Sequence, residues 1–209
     1  MPAGTYTQSV AGAGEDNNAT GDLDITGNVA ISGAGASTTT INGGAIDRVL
    51  HVFAGNALTL SRVTVTNGST NGNSGGIYSF LATTTLTNTI VNNNMSQFDG
   101  AGLFNVGGAM TLIGGKVPGN AGRNGGGIKS DNNGTLTLTN TALIGNTAEF
   151  GAGINNDATL NMTGTTISGN AASGAGGGIF TNFGSLTITN STLSGNSSAS
   201  SGGGGIKSS

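Results

Sequence analysis

The fold of this chain is decided by one stretch, which reads Gly125-Gly126-Gly127-Ile128, then Thr135-Leu136-Thr137-Leu138-Thr139-Asn140, then Gly145-Asn146. Its first part is a glycine step that ends in an aliphatic residue, and its second part alternates polar and apolar residues. Such alternation is the pattern of a β-strand with one buried face. Glycine and asparagine favour turns. The stretch therefore predicts a unit of short strands separated by turns.

The unit recurs along most of the chain, and three columns of residues keep its register. The first column ends the glycine steps at intervals of 26, 25, 26, 25 and 27 residues, at Ile77, Leu103, Ile128, Ile154, Ile179 and Ile206. The second column is Leu60, Leu86, Leu112, Leu138, Met162 and Ile188. The third begins at Gly68 and continues with Asn94, Asn120, Asn146, Asn170 and Asn196. A fixed period of this size predicts one supersecondary unit stacked on copies of itself.

The length of the repeat selects one repeat fold. A propeller blade needs roughly 40 residues, whereas about 25 residues suit one turn of a parallel β-helix. No window has apolar residues at helical spacing, and each of the 41 glycines would cost a helix interior about 1 kcal/mol. The sequence predicts an all-β, right-handed parallel β-helix, a solenoid with about 25–26 residues per turn and roughly seven to eight turns. We expect one domain over residues 1–209, with residues 1–20 as a partial N-terminal cap and residues 21–209 as the stacked turns.

The asparagine column has a structural explanation in such a fold. Asn tolerates the left-handed backbone conformation and satisfies turn amides. Stacked asparagines about 4.8 Å apart form side-chain hydrogen bonds in other stacked β-assemblies. We therefore expect a structural ladder of Asn94, Asn120, Asn146, Asn170 and Asn196. A binding role for the same column is the alternative.

Threonines flank the second aliphatic column. Because side chains alternate along a strand, these residues are expected to point outward. They form two ranks on a flat face, about 4.8 Å apart between turns and about 7 Å apart along a strand. The candidate surface-binding residues are Thr59, Thr85, Thr87, Thr111, Thr137, Thr139, Thr163, Thr187 and Thr189. The ranks resemble the ice-binding faces of β-solenoid antifreeze proteins, although Thr is also favoured on exposed strands for its own sake.

The amino-acid composition limits the classes of partner that we expect for this chain. Charged residues make up 7% of the chain, the net charge is -3, and the six Lys and Arg are spread singly. This pattern predicts no nucleic-acid partner, and the lack of any apolar run of about 18 residues predicts no membrane insertion. The chain has no cysteine, so it has no disulfide framework and no cysteine metal site. We expect no catalytic residue and no cofactor, with Ca²⁺ as the alternative.

Two pairs of carboxylates are the weak metal candidates. Asp131 and Asp157 each follow an aliphatic repeat residue by three positions, so they should lie above one another on adjacent turns, with Lys129 nearby. A surface pair is the simple interpretation, and a cation site or a glycoside-cleaving pair is the alternative. Asp22 and Asp24 belong to the second group.

The second group is an acidic cluster near the N-terminal end. Glu15, Asp16, Asp22 and Asp24 could supply oxygen ligands for Ca²⁺, but their spacing matches no known calcium loop. Solvated loop charge is the alternative. The sequence contains no second histidine that could act together with His51. We therefore assign His51 to the surface of the solenoid turn and give it no catalytic role.

Three aromatic residues share one phase of the repeat. Tyr78, Phe104 and Phe180 follow directly after the aliphatic residue of a glycine step. They point opposite to the inward aliphatic column. We expect either an exposed apolar patch for a partner or packing beneath a loop such as Met95 to Asp99.

The unit from Gly125 to Asn146 resembles the repeats of bacterial surface-exposed right-handed parallel β-helix proteins, such as polymorphic outer-membrane protein repeats and adhesin-like secreted proteins. The opening Pro2-Ala3-Gly4-Thr5-Tyr6 is similar to the first turns of those proteins. The resemblance implies an extracellular or cell-surface location in a bacterium and a scaffold or adhesive role.

The functional prediction is therefore a non-catalytic structural or adhesive extracellular module. Unpaired strand edges at the end of a solenoid favour association, so we expect end-to-end self-association or an extracellular partner. Binding of ice or another crystalline surface through the outward Thr ranks is the first alternative. A polysaccharide-active β-helix enzyme is the second.

Overall fold

The structure is a computed structural model that describes residues 1–12, 14, 16, 18–200 and 202–209. Within these ranges the chain forms strands β1 to β28 and no helix. All strand pairings among them are parallel, and each successive turn adds one strand to each of three long sheets. The chain is an all-β parallel solenoid of about seven turns, which confirms the predicted fold class.

The long sheets run side by side along the solenoid axis. Sheet 1 contains β1 (Gly4–Thr7), β4 (Thr39–Asn42), β7 (Thr64–Thr66), β11 (Ile90–Asn92), β15 (Lys116–Pro118), β18 (Ala142–Ile144), β22 (Thr166–Ser168) and β26 (Thr192–Ser194). Sheet 2 contains β3 (Val29–Ser32), β6 (Ala57–Ser61), β10 (Thr83–Thr87), β14 (Ala109–Ile113), β17 (Thr135–Thr139), β21 (Thr159–Thr163) and β25 (Ser185–Thr189). Sheet 3 contains β2 (Leu23–Ile25), β5 (Leu50–Val52), β9 (Ile77–Phe80), β13 (Leu103–Val106), β16 (Ile128–Asp131), β20 (Ile154–Asn156), β24 (Ile179–Thr181) and β28 (Ile206–Ser208).

A narrower fourth side joins sheet 1 to sheet 3. Its strands are β8 (Ser69–Thr70), β12 (Met95–Ser96), β19 (Thr147–Phe150), β23 (Ala171–Ala175) and β27 (Ser197–Ser198). Single bridges from Met95 to Ala121 and from Ala121 to Thr147 carry the pairing across the intervening turn. The fourth side is therefore paired along the axis as the other three are.

The aliphatic columns of the sequence are the stacking columns of the core. Leu60, Leu86 and Leu112 pair in register in sheet 2, and Leu138, Met162 and Ile188 continue the same column. Leu60 and Leu138 are completely buried. One apolar cluster runs through the turns, because the strands of the three long sheets, apart from β1 and β28, each contribute at least one inward aliphatic side chain. Burying such a side chain stabilises the fold by about 1.5–3 kcal/mol.

The glycine steps mark a corner where successive turns approach closely. A Cβ atom at Gly102 would lie 2.5 Å from the carbonyl oxygen of Gly127 and 3.0 Å from the Nδ2 of Asn120. Only glycine leaves room there for the next turn of backbone. The step is therefore a steric requirement of the stack.

The corner between sheets 2 and 1 requires the left-handed backbone conformation. Asn88, Asn140 and Asn190 adopt φ values of 49°, 50° and 47°, and Gly114 and Gly164 adopt 65° and 60° at the equivalent positions. Glycine and asparagine tolerate this conformation at least cost, which explains why they occupy this column after its first member, Arg62, whose φ is 54°.

Residues 1–20 contribute a strand to the stack. Gly4 to Thr7 pair in register with Thr39 to Asn42, so β1 is the first strand of sheet 1. Hydrogen bonds attach the segment that follows to the body: for example, Gln8 Nε2 donates to the Val49 carbonyl at 2.8 Å, and the Gly21 amide donates to the Val10 carbonyl at 2.9 Å. A capping role for this segment remains a prediction.

Candidate functional site

The asparagine column forms a continuous hydrogen-bonded ladder inside one corner of the solenoid. Each Nδ2 donates to the Oδ1 of the next asparagine, at 3.1 Å from Asn94 to Asn120 and at 2.9 Å from Asn146 to Asn170. Asn94, Asn120, Asn146 and Asn170 are completely buried. Each Oδ1 also accepts the backbone N–H of the residue one turn earlier, as Asn146 does from Asn120 at 2.9 Å. The ladder thus ties each turn to the next and lies away from solvent.

Two further polar columns lie inside the other corners, and the sequence analysis missed both. Between sheets 3 and 2 the buried members are Ser79, Asn105, Ser130, Asn156 and Thr181. Between sheets 2 and 1 they are Thr89, Thr141 and Thr165. Their hydroxyls and amides bond to turn carbonyls, as Asn105 Nδ2 does to Gly108 at 3.0 Å. The signal was present in the sequence, since each column recurs at the period of the repeat.

The outward side chains of sheet 2 form a flat surface that we call the threonine face. The two predicted ranks are in register, with Thr59, Thr85, Thr111, Thr137, Asn161 and Thr187 in one and Ser61, Thr87, Ile113, Thr139, Thr163 and Thr189 in the other. All are partly or fully exposed, while the residues between them are mostly buried. A third rank, which the sequence analysis did not identify, consists of Ala57, Thr83, Ala109, Thr135, Thr159 and Ser185.

The chemistry of the threonine face is uniform. Hydroxyl side chains predominate in its three ranks, and none of the ranks contains a charged residue. The main departure is Ile113, the last residue of β14, which is 44% exposed. The face can therefore offer a regular array of hydroxyl and methyl groups to a partner.

The predicted carboxylate pair is divided between two environments. Asp131 ends β16 and accepts a 2.7 Å hydrogen bond from the Asn132 amide. Asp157 instead forms an ion pair with Lys129, which is 5% exposed. Lys129 Nζ also donates to Asn155 Oδ1 at 3.0 Å. The ammonium group therefore stabilises a buried polar cluster, and Asp131 lies outside it.

The second pair of candidates is divided as well. Asp22 forms an ion pair with Arg48, with Oδ2 and Nε 3.0 Å apart. Burial raises the pKa of Asp22 to about 7, although Arg48 opposes the rise. The Arg48 guanidinium lies 5.4 Å from the centre of the Tyr78 ring, and burial raises the pKa of Tyr78. Asp24 does not join this pair, and Glu15 of the predicted acidic cluster falls outside the described residues.

The assignment of His51 to the surface was wrong. His51 is 8% exposed, because its ring is held between Phe53 and Tyr78, with ring centres 3.8 and 5.0 Å away. Its Nδ1 lies 3.6 Å from Asp16 Oδ1 and 3.8 Å from Asp24 Oδ1. Burial and Arg48 lower the pKa of His51 to about 4, against the opposing effect of Asp16. The ring is therefore neutral at physiological pH.

The aromatic residues of the shared phase pack against other rings. Phe104 is 4% exposed, and its ring centre lies 5.5 Å from that of Tyr78. The ring centre of Phe150, which belongs to the fourth side, lies 5.7 Å from the ring centre of Phe180. The burial of Phe104 fits packing better than an exposed patch, and a position beneath the loop from Met95 to Asp99 stays a prediction.

A groove runs along the fourth side. It has a volume of about 810 Å³ and spans several turns, with small residues such as Ala121, Ala148 and Ala172 in its lining. Among the described residues of this lining, the charged groups are Arg123 and Glu149, whose ion pair measures 3.1 Å. The groove is thus mostly neutral, with its two charges paired.

Together these features define a parallel β-solenoid with an uncharged outward face and a buried polar ladder. Comparison with protein-family models, with curated proteins and with solved structures found no match. Among the described residues, no helix has the length and apolar character to cross a membrane.

Proposed function

We propose that this chain is a non-catalytic extracellular module with a structural or adhesive role, and that it makes contact through the threonine face. The observation that supports the proposal is the register of its ranks, which holds hydroxyl groups in a fixed array over successive turns. The resemblance of the repeat to bacterial surface proteins supports the location.

The threonine face suits an adhesive role because its hydroxyl groups are cheap to desolvate and because it can make many contacts at once. A hydroxyl group loses less on leaving water than a charged group does, so a large uncharged array can meet another surface without a heavy penalty. Each contact is weak, but many contacts made by one rigid body act together and raise the overall affinity. An adhesive module needs this combination of weak contacts and a rigid frame.

The test compares matched substitutions on two sheets. Protein-coated beads are held under flow on crystalline cellulose, on silica and on a bacterial cell layer, and the retained fraction is measured. The double variant Thr111→Lys/Thr137→Lys places two charges on the threonine face. The control Thr166→Lys makes the same change at a half-buried position of β22 in sheet 1.

We expect the double variant to lose retention several-fold on at least one surface, while the control behaves as the unmodified chain. Equal retention of both variants on every surface would contradict the assignment of the face. Absence of retention for the unmodified chain on all surfaces would contradict the adhesive role itself.

Ice or another crystalline surface is a second candidate, because the ranks are periodic in two directions. Neighbouring strands place equivalent threonines about 4.8 Å apart, and alternate residues of one strand lie about 7 Å apart. Thermal hysteresis and ice-crystal shape at millimolar protein test this candidate. Activity that disappears in Thr111→Lys/Thr137→Lys and persists in Thr166→Lys would support it, and no activity in the unmodified chain would exclude it.

A polysaccharide-active enzyme is the remaining alternative, with Asp131 and Asp157 as its carboxylates. The ion pair between Lys129 and Asp157 argues for a structural use of these groups, since a buried and paired ammonium is not available to a substrate. Release of reducing ends from pectin or a similar polymer, lost in Asp131→Asn, would establish an enzyme instead. Self-association is also still a prediction, and concentration-dependent sedimentation tests it.

A further inference from the structure

Three side chains of the metal-binding type meet near the N-terminal end of the solenoid, on the outward side of sheet 3. Asp16, Asp24 and His51 each offer one ligand atom, and these atoms lie within 4.8 Å of one another. We call this group the imidazole cluster. We propose that it binds a divalent transition-metal cation such as Zn²⁺.

The imidazole of His51 is the observation that points to a ligand. The His51 side chain is nine-tenths buried, and its nitrogens make no hydrogen bond to any described residue. Polar atoms buried to this degree normally have a partner. The ring is aimed at two carboxylates, Asp16 and Asp24, but both separations exceed the length of a hydrogen bond. A cation bound between the three groups would give the imidazole a partner.

The distances fit a metal with short bonds. Zinc binds imidazole nitrogen and carboxylate oxygen at about 2.0–2.2 Å, so a tetrahedral site places two donor atoms about 3.4 Å apart. The measured separations from His51 Nδ1 are 3.6 Å to Asp16 and 3.8 Å to Asp24. Both separations therefore exceed the tetrahedral spacing by only a few tenths of an ångström, and all three donor atoms lie within 4.8 Å of one another.

Neighbouring groups hold two of the three ligands in place. Asp24 Oδ2 accepts a 2.9 Å hydrogen bond from the Asn18 amide, and Asn18 Oδ1 accepts the Asp24 amide at 2.7 Å. Asp24 Oδ1 is the oxygen that faces His51. Phe53 and Tyr78 fix the plane of the imidazole ring. Such supporting contacts orient the ligands of natural metal sites.

The third ligand gives access to solvent. The side chain of Asp16 is 62% exposed, so an ion can enter on this side and retain water molecules as further ligands. Asp16 and Asp24 present carboxylate oxygens to the site, and such oxygens are ordinary ligands of zinc.

The identity of the donors favours a transition metal over Ca²⁺. Calcium takes six to eight oxygen ligands, whereas imidazole suits zinc, copper, iron and nickel. The acidic residues alone had suggested Ca²⁺. The position of His51 beside Asp24 changes that preference.

The test is a titration of the tag-free full chain with Zn²⁺, followed by calorimetry and by the imidazole proton resonances. The chain contains 1 histidine, so these resonances report on the imidazole cluster alone. We expect one Zn²⁺ per chain and a shift of the His51 resonances. Binding should weaken by at least about tenfold in Asp16→Asn and be lost in His51→Gln.

Asp16→Asn alters an exposed side chain and should fold as the unmodified chain does. The matched control is Glu149→Gln, which removes a partly exposed carboxylate on another turn and should leave Zn²⁺ binding unchanged. Absence of heat and of resonance shifts up to millimolar Zn²⁺ would overturn the proposal, as would equal affinity in all variants. Ca²⁺ binding that is tighter than Zn²⁺ binding and leaves the His51 resonances unmoved would also overturn it.

Discussion

Replacing Asn120 with alanine removes a central member of the asparagine ladder. Asn120 Nδ2 donates to the Val91 carbonyl at 2.9 Å and to Asn146 Oδ1 at 3.1 Å. Its Oδ1 accepts from the Asn94 amide at 3.0 Å and from Asn94 Nδ2 at 3.1 Å. An amide side chain has two donor and two acceptor positions, and all are used here. Alanine would break these four bonds, and a fifth from Nδ2 to the Pro118 carbonyl at 3.2 Å, at a position that is completely buried.

The expected loss of stability follows from the polar groups that the substitution leaves without a hydrogen bond. The Asn94 backbone N–H would remain buried without its partner, which costs about 1–3 kcal/mol. Each of the other bonds contributes about 0.5–1.5 kcal/mol. We expect the free energy of unfolding to fall by about 3–4 kcal/mol. This is a large share of the roughly 5–15 kcal/mol that stabilises a typical domain.

Urea denaturation measures the loss of global stability, and amide hydrogen exchange measures local opening of the ladder. Exchange is needed because repeat proteins often unfold in parts, so that a single free energy does not describe them. We expect exchange at the Asn94 amide to accelerate by about a hundredfold or more.

The control is Asn92→Ala, one turn earlier and two residues before Asn94. Asn92 is half-buried, and its side-chain amide makes no hydrogen bond to the described residues. The Asn92→Ala substitution should lower the free energy of unfolding by less than about 0.5 kcal/mol. A loss below about 1 kcal/mol for Asn120→Ala, with unchanged exchange at Asn94, would refute the stabilising role of the ladder.

Two further substitutions test the packing of the turns. Gly102→Ala should lower the free energy of unfolding by about 2 kcal/mol or more, because its Cβ would lie 2.5 Å from the Gly127 carbonyl oxygen. Gly205→Ala, where no atom lies within 4 Å of the added Cβ, should change it little, and equal denaturation midpoints would contradict the steric argument. Lys129→Met should destabilise by about 2–3 kcal/mol by leaving Asp157 unpaired, and adding Asp157→Asn should restore part of the loss. Thermal unfolding of the single and double variants checks this, and no recovery would show that the two groups act independently.

The fold was predictable because the periodic signal is simple. A column such as Leu60, Leu86 and Leu112 identifies the inward face of a strand, and the fixed interval identifies the pairing partner one turn later. The Thr ranks followed from alternation along the same strands. In a solenoid, register in the sequence becomes register in space.

The environment of single residues was less predictable. His51 is buried because the aromatic rings of Phe53 and Tyr78 close over it, and neither contact follows from the repeat. Lys129 pairs with Asp157 of the next turn rather than with Asp131 of its own strand. These outcomes depend on side-chain conformation, which periodicity does not determine.

Each turn of the solenoid bonds mainly to the turn before it and the turn after it, and the asparagine ladder shows this most directly. Duplication of one whole period in the gene would therefore lengthen the rod by about 4.8 Å and leave the remaining contacts as they are. Insertion of a fraction of a period inside a strand would displace every later side chain from its column. Growth and shortening of such a molecule are thus confined to complete units.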